Sequence, residues 1–211
     1  MSAGHRLVLD DVRIILQGNT LLELDAEIGP GEVYTVMGPS GSGKSTLLAY
    51  LAGFLAPAFQ ASGRVLLDGH DISRLPAERR GIGLLFQDPL LFPHLSVAGN
   101  LRFGMPRAAA DKAGRIETAL ERVGLAGFGQ RDPATLSGGQ KARVALMRLL
   151  LSAPRAVLLD EPFSKLDRPL RHDMRRLVFD RLREAGLPSL LVTHDREDAE
   201  EAGGRMIELS H

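Results

Sequence analysis

Residues 31–55 read GEVYTVMGPSGSGKSTLLAYLAGFL: a short apolar strand, a glycine-rich polar turn, then an apolar run of helical length. Gly38, Gly43, Lys44 and Ser45 fit a G-x4-G-K-S spacing, and the strand before it and the helix after it give that spacing its meaning. After Gly38 and Pro39, the N–H groups of Ser40, Gly41, Ser42, Gly43, Lys44, Ser45 and Thr46 are expected to point into one concavity, because glycines let the backbone wrap closely round phosphate oxygens. The helix starting near Lys44 adds its positive end. Lys44 is then placed to bridge the β and γ phosphates of a nucleotide, and the Ser45 hydroxyl to ligate Mg²⁺.

On either side of this turn the sequence alternates. RLVLDDVRII and LLELDAEI read as antiparallel strands around LQGN, and GRVLLDG and IGLLF as two further short strands. From about Phe92 the character changes. KAGRIETALERVG has helical spacing, with Ile116, Leu120 and Val123 on one stripe and Gly124 as a stop. A second helix starts at Ser137 and is expected to carry Val144, Leu146 and Leu150 inward. After it come AVLLD, a helix over Arg168 to Ala185, SLLVTH, a short helix and RMIEL. Strands alternating with helices imply a mostly parallel sheet covered on both faces. The expected fold is therefore α/β, a P-loop core with an antiparallel β part and an inserted helical part. The chain divides into 1–91 with 153–211 as the nucleotide-binding core, and 92–152 as the helical insert.

Active sites in open α/β sheets lie at the carboxyl ends of strands. AVLLDEP puts Asp160 and Glu161 at such an end, Asp160 to hold the Mg²⁺ shell and Glu161 to polarise the attacking water as general base. His194 ends SLLVT and is expected at the same edge, in reach of a γ-phosphate or of the Glu161–water pair. Gln87, ending IGLLF, is similarly placed to touch Mg²⁺ or the water. Asp167 reads as the N-cap of the helix after it, with Pro169 in its first turn. A second turn, LSGGQKARVAL over 136–146, again sets glycines before a helix and offers a second anion cradle.

The 211 residues are 44% hydrophobic and 25% charged, which suits one globular domain. Zero formal charge gives no basic field for nucleic acid, and the pairs Arg79-Arg80 and Arg175-Arg176 read as solvated faces. Without cysteine there is no disulfide or thiolate metal site. The N-terminus lacks the apolar core of a signal peptide, and the longest apolar run, 47–59, contains Gly53 and Pro57 and is too short to span a bilayer.

Taken in order, the chain resembles the nucleotide-binding subunits of ATP-binding-cassette (ABC) transporters over essentially its full length. GPSGSGKST resembles their Walker A loop, Gln87 the Q-loop glutamine, LSGGQ the signature, AVLLDEP Walker B, SKLD the D-loop, and THD the switch-histidine segment. The resemblance implies an ATPase whose two copies pair head to tail on binding ATP. Ser137, Gly138, Gly139 and Gln140 of one copy, together with Asp167, would then cover the nucleotide of the other. It also implies integral membrane permease subunits, a solute-binding protein acting indirectly, and peripheral placement at the cytoplasmic face of the bacterial inner membrane.

Within that family, LLFQDPLLFPHLSVAGNL resembles importer subunits, and the whole pattern most resembles stand-alone ATPases of the thiamine and YnjD-like kind. The cluster Leu90, Leu91, Phe92 and Leu95 would receive a helix of a membrane subunit, or form a satellite core under the inserted helices, or both. An exporter or lipid-extraction ATPase, and a soluble non-transport ABC ATPase, are the alternatives. Three departures stand out. No aromatic lies in RIILQGN to stack on adenine, leaving Ile15 or Leu16 to pack against the base. Ala142 stands where glutamine is frequent. Lys165 interrupts the small residue of the D-loop, either altering cross-talk between sites or lying in solvent.

Overall fold

The computed structural model describes residues 4–39 and 41–209. Strands β1 (Leu7–Leu16) and β2 (Asn19–Ile28) form an antiparallel hairpin in which Leu16 faces Asn19. The two residues between them, Gln17 and Gly18, have φ of 51° and 82°, so both central positions of the turn are left-handed, as a two-residue hairpin twisted like its strands requires. Along β2 the even-numbered residues Leu22, Leu24, Ala26 and Ile28 are buried and the residues between them exposed, the period-2 signature of a sheet with one wet face. β4 (Phe59–Leu67) joins the other side of β1, and the short β5 (His70–Asp71) follows it. The pairing slips between Asp10 and Arg13. Opposite that slip, Gly63 has φ 86° and lies so close to the Asp11 carbonyl that a Cβ would sit 2.1 Å from its oxygen.

The second sheet is wholly parallel, in the order β6-β7-β8-β3-β9. It comprises β3 (Val33–Met37), β6 (Ile82–Leu85), β7 (Ala156–Asp160), β8 (Ser189–Thr193) and β9 (Met206–Glu208). Ala156–Leu159 and all of β8 are buried without alternation, which is what coverage on both faces demands. The helices are α1 (Lys44–Ala52), α2 (Val97–Gly104), α3 (Lys112–Glu121), α4 (Gly138–Leu151), α5 (Arg168–Glu184) and α6 (Arg196–Ala202).

Two apolar clusters divide the interior. One joins the antiparallel sheet and α1 to one side of the parallel sheet, through Val36, Leu158, Leu190 and Val192. The other joins α2, α3 and α4 to the opposite side through Val157, Leu159 and Leu191, and takes in Phe163 and Phe179, whose rings meet edge to face at 5.7 Å. The helices between β6 and β7 thus share their core with the sheet. Among the described residues, no helix is long and apolar enough to cross a membrane.

Several sequence expectations need correction. Helix α2 was not foreseen; its start is set by Ser96, whose side chain accepts from the Gly99 N–H. β4 begins at Phe59, ahead of the GRVLLDG segment. On α4, Val144 and Leu146 face inward as expected, but Leu150 is half-buried and Met147 and Leu149 are buried instead.

In each arginine pair only one member is solvated as expected: Arg79 and Arg176 are exposed, whereas Arg80 is only 5% exposed and Arg175 only 4%. Arg80 donates to the carbonyls of Tyr50 and Leu51, Leu75 and Ser73. It therefore closes the C-terminal end of α1, where unpaired carbonyls and the negative end of the helix favour a cation.

Candidate active site

The loop from Gly38 enters α1 at Lys44, with Gly43 as cap at φ 88°. The left-handed turn brings Gly43 against Leu21 of β2, whose Cγ lies 3.0 Å from where a Cβ would stand. Leu21 is thus an apolar side chain set on the phosphate loop that the sequence reading did not single out. Lys44 is buried, and its ammonium donates to the carbonyl oxygens of Gly38 and Pro39, each at 2.7 Å, with the Ser42 hydroxyl at 3.5 Å. Burial pushes the Lys44 ammonium's pKa down, opposed by the neighbouring carboxylates of Glu161 and Asp160. Gly41 and Ser45 are exposed and Thr46 half-buried along the same turn; Ser40 lies outside the described residues.

Asp160 closes β7, and its Oδ1 stands 3.5 Å from the Ser45 hydroxyl, joining the strand end to the first turn of α1. Burial raises the Asp160 carboxyl's pKa, the charge on Glu161 raises it further, and Ser45 and Lys44 oppose the shift. Glu161 leaves the strand at φ 43°, a left-handed conformation that a side chain longer than glycine's seldom adopts. Its N–H donates to the Val192 carbonyl at 3.0 Å, which pins this turn to the end of β8. His194 follows β8 directly, and its Nδ1 lies 3.1 Å from Glu161 Oε1. The sequence placed Asp160, Glu161 and His194 at one edge, and the structure brings them together there.

Behind His194 lies a polar network that the sequence reading missed. Arg175 of α5 donates Nε to Asp198 at 2.5 Å, Nη2 to Asp195 at 3.0 Å and Nη1 to Glu197 at 2.8 Å. Arg171 adds a second contact to Asp195 at 3.0 Å. Asp198 accepts the Thr193 hydroxyl at 2.8 Å, and that hydroxyl in turn accepts the Asp195 N–H. The residues either side of His194 are thus anchored to α5. Spacings of i, i+4 in R-H-D-M-R on one helix and an acidic run in the next were the available signal.

Gln87 is the exception. It lies two residues beyond β6, is exposed, and its side chain makes no hydrogen bond to another described residue. The second turn behaves as a well-built helix start. Ser137 accepts from the Gln140 N–H at 3.3 Å and Gln140 Oε1 accepts from the Ser137 N–H at 3.0 Å, a reciprocal cap. Gly139 fits under Leu170 of α5, while a side chain at Gly138 would meet nothing in the chain. Asp167 caps α5 as expected, accepting from the Leu170 N–H at 3.1 Å.

Past the Gln87 segment the surface turns apolar. Phe86, Leu90 and Phe103 are 38%, 55% and 67% exposed, and together with Phe92 and Arg148 they line a groove of about 440 Å³. Leu91 turns inward to the core, whereas Phe92 is half-buried and packs on Phe103 at 4.5 Å between ring centres. Of the predicted cluster, Leu90 is exposed, while Leu91, Phe92 and Leu95 are intermediate, Leu91 packing against the core.

The model of a family described as ABC transporter matches residues 21–164. The chain is 47% identical over 184 residues to the uncharacterized ABC transporter ATP-binding protein YnjD of Escherichia coli (strain K12), covering 86% of this chain and 85% of that one. It is 49% identical over 200 residues to the thiamine import ATP-binding protein ThiQ of Cereibacter sphaeroides, covering 93% and 85%. It is 43% identical over 198 residues to the putative 2-aminoethylphosphonate import ATP-binding protein PhnT of Salmonella typhimurium, covering 92% of this chain and 53% of that one.

Proposed function

The chain belongs to the ABC transporter family and is an ATP-hydrolysing ATP-binding subunit, and from that premise we propose that it drives uptake of a small solute through separate membrane permeases. The observation that carries the chemistry is the Glu161–His194 pair, 3.1 Å apart beside the Lys44 loop. Glu161 takes up a proton from the attacking water, and His194 holds the carboxylate's orientation and faces the transferred phosphate. Lys44, released from the Gly38 and Pro39 carbonyls, serves the β and γ phosphates. The loop N–H groups, Ser40 to Thr46, close round them.

The donors present fit Mg²⁺. Ser45 and Asp160 are hard oxygen donors 3.5 Å apart, and Asp160 is a half-buried carboxylate whose pKa is raised by partial burial and then by Glu161, which a cation would relieve. Among the described residues, no group of three or more acidic or histidine side chains forms a full cage. That suits an ion that takes one or two protein oxygens and draws the rest from phosphates and water. Mg²⁺ would neutralise charge developing on the phosphates; Gln87 would reach it or the water from the loop after β6.

The same reading assigns residues 92–152 to a helical unit on a RecA-like core of residues 1–91 and 153–211. Two copies pair head to tail, so that Ser137, Gly138, Gly139, Gln140 and Asp167 cover the partner's nucleotide. The open space round Gly138 supports this, since it leaves the turn free to meet another molecule. In this reading the groove with Phe86, Leu90 and Phe103 receives an apolar helix of the permease, and the protein works at the cytoplasmic face of the bacterial inner membrane; the exposed aromatic and leucine side chains support it. A solute-binding protein acts through the permease, and nucleic acid has no part.

The test is affinity capture of the tagged Glu161→Gln chain with ATP from detergent-solubilised membranes. A stoichiometric polytopic protein supports the transport reading, whereas soluble partners or ribosomes alone overturn it and leave the ATPase standing.

A further inference from the structure

Lys165 is bound rather than free: its ammonium lies 2.5 Å from Asp88 Oδ1, across 77 residues of sequence. The two ends of this ion pair differ in how many hydrogen bonds hold them. Lys165 sits in the turn leaving Glu161, where the Ser164 hydroxyl donates to the Glu161 carbonyl at 2.8 Å and the Leu166 N–H to the Phe163 carbonyl at 3.0 Å. Arg171 further holds the Leu166 carbonyl at 3.0 Å.

Asp88 sits in the exposed stretch Phe86–Asp88, which has left β6 at Leu85. The next fixed point is Arg148, which donates to the carbonyls of Pro89 and Leu90. Among the described residues, Lys165 is the one side chain bonded to that stretch. The stretch borders a cavity of about 210 Å³ that Ala142, Ala145, Phe163 and Lys165 also line.

We infer that Lys165 is a positioning residue for Gln87, acting through Asp88. It ties the loop that carries Gln87 to the hydrogen-bonded turn that carries Glu161, so that the two groups keep one relative placement. The inference rests on the role proposed above for Gln87. It also gives the tether a direction: a change in the loop that leads to the apolar groove is felt at the turn of the general base. Both partners are about half exposed, so the tether is weak enough to break during a cycle and is screened by salt.

The experiment compares steady-state ATP hydrolysis by Lys165→Ala, Asp88→Ala, Lys165→Asp, the reversed pair Lys165→Asp/Asp88→Lys, and Gln87→Ala. Each alanine variant of the tether is expected to lose about two- to five-fold in kcat, the range an exposed pair supplies, at unchanged KM and unchanged melting temperature. The reversed pair should recover most of what Lys165→Asp loses, and at ~0.5 M salt the wild type should fall toward the variants. Gln87→Ala should lose roughly tenfold or more. Wild-type kcat in both alanine variants, or a reversed pair no better than Lys165→Asp, overturns the tether while a Gln87→Ala loss keeps Gln87's role intact. Wild-type turnover in Gln87→Ala overturns that role and the tether with it.

Discussion

Replacing Arg175 with methionine tests the buried network behind His194. Methionine keeps most of the side chain's apolar length and removes only the guanidinium. The side chains of Arg175 and Asp198 are 5% and 3% exposed and meet at 2.5 Å, so the loss leaves a carboxylate buried with only the Thr193 hydroxyl to hold it. The contact to Glu197 contributes little, because that side chain is 76% exposed. Breaking one partner out of a buried pair costs about 3–5 kcal/mol, which for a chain of 211 residues lowers Tm by about 6–20 °C.

The loss has a signature in pH. Burial already raises the Asp198 carboxyl's pKa above its ordinary 3.8, with Thr193 and Arg175 opposing the shift; without Arg175 it rises further. A carboxyl whose folded pKa exceeds its unfolded one stabilises the fold below the unfolded value, and that contribution is lost as pH climbs through the folded value. The deficit of Arg175→Met against wild type should therefore be smaller at pH 5 than at pH 8. Urea unfolding followed by circular dichroism at both pH values measures it, and adding Asp198→Asn should recover much of the loss. A deficit under about 1 kcal/mol, or one independent of pH, would refute the reasoning.

Other expectations concern the site itself. Glu161→Gln should lower kcat by about 10²–10⁴ with nucleotide affinity kept, as steady-state turnover and equilibrium binding would show; an unchanged rate moves the base elsewhere. Because Asp160 is raised by burial and by Glu161, affinity for Mg²⁺-ATP should decline on acidification from a pH above the ordinary aspartate range. In Glu161→Gln that decline should begin at lower pH, measured by calorimetric titration; coincident curves would count against coupling of the two acids. Arg80→Met leaves the carbonyls of Tyr50, Leu51, Leu75 and Ser73 without their donor and should cost about 2–4 kcal/mol by urea unfolding. Phe103→Asp, at a side chain 67% exposed, should leave basal hydrolysis intact and abolish permease capture; retained capture would place the docking surface elsewhere.

The phosphate loop, the strand-end carboxylates and the Asp167 cap were legible before any fold was known. Each of these depends on local chemistry: glycine's left-handed freedom at Gly43, an apolar run ending in Asp160-Glu161, and Asp167 accepting the N–H three residues on. The continuous apolar runs of β7 and β8 likewise told a parallel, doubly covered sheet from the alternating β2. Which charged groups are buried was not legible until the chain was folded. Arg80 and Arg175 look like any surface arginine in sequence, because what buries them is a set of carbonyls and carboxylates that folding gathers from separate segments, such as Tyr50 and Leu51 for Arg80 and Asp195 and Asp198 for Arg175. The same holds for Lys165 and Asp88, 77 residues apart. Side-chain identity sets what a group can bond, but only the folded chain sets which partner comes within reach.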